Sequence, residues 1–576
     1  MKSAWITAIC GIAAGCNAVK APLGEHRDIA PVHGGTMRLA NYADVRTLDP
    51  ALNFDVVSGA VIELLFDRLI DYDRNGKIVP QLAERFETSA DGKRYTFKLH
   101  EGVLFHDGEE LTADDVKRSI ERALAHDSPC PAASFYQSIL GYSAFRDGEK
   151  NASGETVYAP HLSGVVVEGR YLLHVDLSVP DATILPVMTL FFVAPVCRDA
   201  GPKYSPEWSA HACGTGPFRL DQWQTSRQID VVRHAGYYRP GQPYLDRIRF
   251  YMLMPALTQR FKFEAGELDH IRDFSGTDSL AYRRDPRWHP YAQWEPAKTV
   301  LSTFLNTQMK PFDNVEFRRA FAAAIDWDQL VSLRPEELLP AHQMLPPAVP
   351  GHDPSFVGQK HDPVAALEHM KNAGYPFDPA TGKGGYPETI RYVANAESMP
   401  SDTFAPVMAQ QLARIGIRLE IRSVSWPTFL AETAQPKRIQ LGYGGWIMDF
   451  PDPSDFFEPT LSTEAIQGEE TRNAAFYSNP DFDRLLKEAH GEIDPTRRAS
   501  LYRRCEEIIR DDAPWSIGAY QRFYELVQPY VHGYVVDATH VRDVRAVWID
   551  ESQRPQAARF RRGRSALALI RPWGAR

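Results

Sequence analysis

A glycine-rich apolar run cut short by two prolines constrains this chain most. It reads Leu441-Gly-Tyr443-Gly-Gly-Trp446-Ile-Met-Asp449-Phe-Pro451-Asp452-Pro453-Ser-Asp455-Phe-Phe-Glu458. Proline fixes φ and lacks an N–H, so neither a helix nor a central strand continues through residues 451 and 453. The strand must stop near Trp446, which leaves Asp449 in the loop just past its carboxyl end.

The neighbouring segments say what kind of sheet this strand joins. Residues 390–394 read as a short strand. Phe404, Val407, Met408, Leu412 and Ile415 follow at helical spacing, and Gly416 stops them. Ile417, Leu419 and Ile421 alternate as a strand, residues 426–433 read as a helix, and 439–446 as the next strand. This βαβαβ order predicts parallel strands with right-handed crossovers. Ligands of open α/β sheets bind beyond the carboxyl ends of the strands, where Asp449 lies. A carboxylate in a closing cleft loses several kcal/mol of solvation, in order of magnitude, unless a cation compensates. No lysine or arginine lies within 441–458, so the candidates are a ligand ammonium group or a distant arginine. Asp449, Asp452 and Asp455 are spaced by three with no glycine at the turn, which does not suit a calcium loop.

With 576 residues the chain is too long for one core and should form two or three lobes. A net charge of −10 argues against a nucleic-acid binder and permits a small cationic or neutral ligand. At the N-terminus, Lys2 precedes a short apolar run from Ala4 to Ala14, which suits a cleaved export signal. Ala13-Ala14-Gly15-Cys16 resembles a bacterial lipobox, with Ala13 where leucine is usual, so Cys16 is the candidate lipidation site. Residues 17–33 then read as a tether. Of the cysteines beyond the leader, Cys197 and Cys213 enclose a short loop and could pair as a disulfide in an oxidising compartment or stay as two buried thiols. No Cys-x-x-Cys pair exists to hold zinc. Residues 551–576 carry seven arginines and one acid and read as a solvated tail.

Along the folded part, a helix is expected after Val56 and a half-buried strand over 94–100. Thr112 with Asp115 gives a capping-box start to a helix bearing Val116, Ile120, Ala123 and Leu124 on one face. His100 and His106 flank a turn at a spacing that does not suit zinc. No Gly-x-Ser-x-Gly, His-Glu-x-x-His or phosphate loop is present. Nothing selects a carboxylate pair for glycoside chemistry.

The strand-turn-helix block 94–124, from Arg94-Tyr-Thr-Phe-Lys-Leu through His106-Asp-Gly to Ala123-Leu124, resembles the signature segment of the bacterial extracellular solute-binding proteins of the oligopeptide and dipeptide class. Leu48-Asp49-Pro50, Gly214-Thr-Gly-Pro-Phe218, Phe304-Leu-Asn306, Phe317-Arg-Arg-Ala-Phe321 with Ile325-Asp326, and the 441–458 stretch recur in that family's order. The resemblance covers residues 34–550.

It implies an α/β periplasmic-binding-protein-like fold of two hinged lobes with an additional small inserted domain and mixed sheets. Lobe I would combine 34–66, 201–299 and 516–550, the insert would take 67–200, and lobe III 300–515. The hinge would lie near 298–302 and 514–519. The implied function is that of the substrate-binding subunit of an ABC importer. It would capture a peptide between the lobes and present it to the permease's transmembrane subunits, as a monomer in the periplasm or cell envelope, held by a lipid anchor. Neither catalysis nor a cofactor is implied. In this family the aspartate after a tryptophan and two residues receives a peptide's free amino terminus, a role carried to Asp449 with Trp446. Where the best-known oligopeptide receptors have an arginine three residues before that tryptophan, this chain has Tyr443, which brings no charge. Residues 39–43, including Asn41 and Tyr42, are the candidate strand for a ligand's backbone. A nickel chelate, haem, an opine or a sugar remains an alternative cargo on the same scaffold, and an exported hydrolase an alternative of another class.

Overall fold

In the computed structural model the described residues are 30–555, except 54, 75, 200, 202, 273–275, 336, 396–398, 468–470 and 537–543. The leader, Cys16, most of the tether and the arginine-rich residues after 555 lie outside them.

Sequence-remote segments meet in the first core. The strand Thr36–Ala40 pairs in parallel with Arg247–Tyr251, and Gln228–Arg233 and Phe218–Gln224 continue that sheet. A second, three-stranded sheet sets Tyr524–Val527 between His270–Ile271 and Ala292–Trp294. Met37, Leu39, Ile248, Phe250, Leu526 and Tyr530 are buried in the same cluster, so the start, middle and end of the chain share one interior.

A second core lies within residues 51–197, with Phe450 entering it from far along the chain. Its sheet runs Ala83–Thr88, Arg94–Leu99, Leu172–Asp176, Val165–Gly169, all antiparallel. Arg94–Leu99 alternates between exposed and buried residues as its sequence requires. The helix Ala113–Leu124 starts from Thr112 with the reciprocal Thr112–Asp115 capping box. Arg122 from this helix forms a buried ion pair with Asp49 of the Leu48-Asp49-Pro50 turn, which fixes the insert to the first body.

The third body is a six-stranded sheet in the order Leu338–Pro340, Trp515–Gln521, Thr299–Leu305, Leu441–Ile447, Thr389–Asn395, Arg418–Val424, with a buried cluster on each face. The last three strands are mutually parallel, as the βαβαβ pattern predicts, whereas Thr299–Leu305 is antiparallel to both its neighbours. Residues 299–302 and 515–519, expected near the hinge, are instead paired within this sheet. The connections between the first and third bodies are 295–298 and 522–523, where Glu295 N–H donates to the Phe523 carbonyl at 2.8 Å. Sequence periodicity locates the strands but not the point where pairing passes from one sheet to the next.

Candidate functional site

The strand Leu441–Ile447 ends two residues before Asp449, and the two prolines do stop it. After the loop a short helix, Ser454–Leu461, begins at once, with Pro453 at its cap position. Sequence reading missed this helix. Pro459 lies within its eight residues, and its apolar Phe456 and Phe457 are adjacent rather than spaced by three or four.

Register shows how the strand is presented. Leu441–Ile447 pairs with Thr299–Leu305 along its whole length, but with Thr389–Asn395 only at Leu441 and Gly442. Asn306 N–H donates to the Gln440 carbonyl and Met448 N–H to the Lys298 carbonyl. Antiparallel alternation then turns the main-chain groups of Gly442, Gly444 and Trp446 toward Thr299–Leu305, and those of Gly445 and Ile447 toward the open side. Both Gly445 and Ile447 are exposed, Ile447 at 49%. Among the described residues, the end of this strand is an unpaired edge of the kind that takes an added extended segment.

The two aromatic candidates separate. Trp446 packs on the face with Val300 and Phe304, while Tyr443 packs on the opposite face with Leu301, Leu305 and Leu441. Three residues apart, they stand on opposite sides of the sheet. The Trp446 indole Nε1 is buried with no hydrogen-bond partner among the described residues.

Asp449 is solvent-accessible, yet no cation lies within ion-pair distance of its carboxylate among the described residues. Water reaches the group, but the surrounding protein walls penalise its charge and push its pKa up to about 6, opposed only by the more distant Arg472. Arg472 is itself exposed. The other acids of the loop are structural. Asp452 is buried and ion-paired with Arg498, and its Oδ1 accepts Ser454 N–H at 2.9 Å and Ser454 O–H at 2.7 Å. Asp455 is 3% exposed, and its Oδ2 accepts Asp449 N–H at 2.9 Å.

Asn41 and Tyr42 lie past the end of their strand, which stops at Ala40. Asn41 is 3% exposed, and its Nδ2 points to Met252 Sδ at 3.9 Å, whereas Tyr42 is 60% exposed. Thr36–Ala40 is an edge strand whose outer side is already occupied at Arg38. Arg38 N–H donates to Asp269 Oδ2 at 2.7 Å, and the Arg38 carbonyl accepts Asp269 N–H at 2.9 Å. Parallel alternation makes the main chain of Ala40 the next outward position.

The loop also bridges bodies. Phe450 enters the insert's core, 5.8 Å edge-to-face from Phe135. Tyr72 of the insert is buried and lies in the field of Asp452 and Asp455. Neither contact has a sequence signal, because both depend on how separate bodies dock.

Cys197 and Cys213 are joined by a disulfide, with Cα atoms 5.5 Å apart. Among the described residues, the one grouping with metal-ligand chemistry is Asp107 with these two cysteines, whose sulfurs the disulfide consumes. His106 is buried. Its Nδ1 accepts Gly214 N–H at 3.2 Å and its Nε2 bonds the Gly216 carbonyl at 3.1 Å, so it clamps a turn, and burial beside His234 lowers its pKa to about 3.

Comparison with known proteins agrees with this architecture. Residues 77–468 match the family described as bacterial extracellular solute-binding proteins, family 5 middle. Heme-binding protein A of Haemophilus influenzae is 28% identical over 503 residues, which cover 84% of this chain and 87% of that protein. The oligopeptide-binding protein OppA of Bacillus subtilis is 27% identical over 479 residues, covering 81% of this chain and 84% of its own. The structure of the periplasmic binding protein DppA from Helicobacter pylori, in complex with the peptide STSA, superposes with a TM-score of 0.72 at 25% identity. That match covers 90% of this chain and 99% of the other.

Proposed function

The chain belongs to family 5 of the bacterial extracellular solute-binding proteins, and from that membership we propose that it is the substrate-binding subunit of an ABC importer that takes peptides. The observation that carries the reading is the pairing of an unpaired strand edge at Gly445 and Ile447 with a carboxylate two residues beyond it. An extended peptide would add to that edge through its main chain, with affinity independent of side chains. Asp449 would receive its ammonium terminus. The strand end at Ala40 would offer the facing edge, and Trp446 a wall. That a relative's structure holds the peptide STSA, and another relative is named for oligopeptide binding, supports the same cargo class.

The domain division that goes with this reading is lobe I from 34–66, 201–298 and 522–550, an insert over 67–200, and lobe III over 299–521, the boundary expected at 516 moving because Trp515–Gln521 pairs within the third sheet. Closure would turn on 295–298 and 522–523, bury the ligand, and create the surface a permease recognises. Cys16 would carry a lipid anchor on an otherwise monomeric receptor. No catalytic step is assigned. Hydrolysis of chromogenic esters, glycosides or peptides, lost on changing one acid, would overturn that.

Tyr443 favours a second reading. It supplies no charge for a ligand carboxylate and packs on the sheet face away from Trp446, so the cargo is either a peptide held by its amino end alone or a non-peptide solute. Relatives named for heme and glutathione binding belong to the same comparison. A thermal-shift screen against peptides, glutathione, haem, sugars, opines and nickel chelates separates the readings. Stabilisation by free-amino peptides, lost on Asp449→Asn, is the expected result. Stabilisation by a non-peptide alone would sink the peptide reading.

A further inference from the structure

The three aspartates of the loop stand in three different electrostatic situations, although the sequence spaces them evenly. Asp452 is neutralised by Arg498, which approaches both its oxygens. Asp449 is open to water and has no ion pair among the described residues. Asp455 is almost fully buried at the first turn of the helix Ser454–Leu461. One of its oxygens takes the Asp449 main chain, and the other, Oδ1, has no hydrogen-bond partner among the described residues.

Two carboxyl groups that feel each other's charge, one of them buried, do not both ionise readily. The proton stays where charge is least tolerable. Asp449 has solvent and the field of Arg472; Asp455 has neither. The groups facing Asp455 are Asp449, Tyr72 from the insert and the Trp446 indole. The Asp449 N–H, donated to Oδ2, favours a charged Asp455. Burial, and then the Asp449 carboxylate, outweigh that bond and hold the Asp455 pKa well above the usual carboxyl range.

We infer that Asp455 is a positioning residue that stays neutral beside Asp449, holding the loop by its main chain and leaving Asp449 the loop's one uncompensated negative charge. The inference deepens the proposed function and rests on Asp449 being the ligand anchor. A charged Asp455 would double the local negative charge and leave a buried oxygen unsolvated. A neutral one sets the Asp449 carboxylate in place without competing for the ligand's ammonium group.

Asp455→Asn keeps the acceptor oxygen and mimics the neutral acid, whereas Asp455→Ala removes both. The infrared difference spectrum of the protein minus D455N at pH 7 should contain a protonated-carboxyl stretch. Binding of tetra-alanine should fall less than about threefold in D455N and about tenfold in D455A, the scale of a lost hydrogen bond that orders the site. The pH midpoint of binding should be the same in wild type and D455N. An absent infrared band, a shifted midpoint, or a D455N loss as large as that of D455A would overturn the assignment. The anchor reading fails separately: if the band is present but Asp449→Asn leaves tetra-alanine binding unchanged, or tetra-alanine does not bind at all, Asp455 is neutral but Asp449 is not the anchor.

Discussion

Asp181 of the inserted body and His490 of the third body meet in an ion pair at 3.0 Å, beside a main-chain bond from Ala182 N–H to the His490 carbonyl at 2.9 Å. The other ring nitrogen of His490 lies 3.2 Å from Glu458, on the helix that follows the ligand loop. The imidazole therefore ties the insert to the element that carries Asp455.

Burial works against a charge on His490, but Asp181 and Glu458 outweigh it and raise the pKa to about 10. The folded-state value lies above the unfolded one, so this contribution is complete below about pH 6.5 and is lost as pH rises through about 10. His490→Gln should cost about 3 kcal/mol at pH 7, the scale of breaking a buried pair from one side. It should also flatten the decline in stability between pH 7 and 10. Urea unfolding across that range checks both, and an unchanged slope in the variant would dismiss the imidazole as its source.

Peptide binding should depend on pH through Asp449. Its pKa of about 6 in the unliganded site means that the carboxylate is mostly protonated at pH 5 and mostly charged at pH 7. Affinity for a free-amino peptide should therefore drop about tenfold between pH 7 and 5. Asp449→Asn should weaken that peptide by about 1.5–3 kcal/mol at pH 7, remove the pH dependence, and leave an N-acetylated peptide nearly unaffected. Calorimetry of the two peptides at both pH values reads this directly. Equal losses for both would defeat the amine anchor.

Gly518 packs against the ring of Trp327, whose Nε1 donates to Ser516 Oγ at 3.0 Å and whose ring meets Phe404 edge-on at 6.1 Å. A methyl group at 518 would occupy the ring's own position, so Trp327 would have to leave a well-defined site. Gly518→Ala should cost about 1–3 kcal/mol by overpacking. It should lower Tm and change near-ultraviolet circular dichroism, without altering the peptide preference of the distant loop. An unchanged Tm would mean that the indole relocates at no cost.

Local chemistry made some of this architecture readable from sequence. The strand ends at Ile447 ahead of the prolines, Thr112 and Asp115 cap their helix, and the βαβαβ run is parallel. Docking between separate bodies was not readable. Phe450, an aromatic beside the prolines, is part of the insert's core. Asp455 was visible only as the third acid of an ill-spaced metal loop, because its burial is set by the insert and by Asp449, not by its neighbours in sequence. The open edge at Gly445 and Ile447 arises because Thr389–Asn395 leaves the pairing after Val393, a divergence with no residue pattern. Tyr443 and Trp446 share the run, yet the two-residue period puts them on opposite faces, so the arginine-to-tyrosine departure alters the far side of the sheet.

The disulfide adds a covalent link between cores that the buried Arg122–Asp49 ion pair also ties. Cys197 is buried with the insert, while Cys213 packs against both the insert and the first body. The adjoining turn is held by His106, whose N–H donates to the Gly214 carbonyl at 2.9 Å. Closing a 16-residue separation restricts the unfolded chain by about 3 kcal/mol in the chain-entropy account. Reduction, or Cys197→Ser with Cys213→Ser, should therefore lower the urea midpoint by that scale while leaving peptide affinity at the Asp449 loop within about twofold, since distant sites are energetically independent. Unfolding followed with and without reductant, on wild type and on the double variant, gives the test. Reductant should shift the wild type alone, and an equal shift in both proteins would assign the effect to something other than this bond.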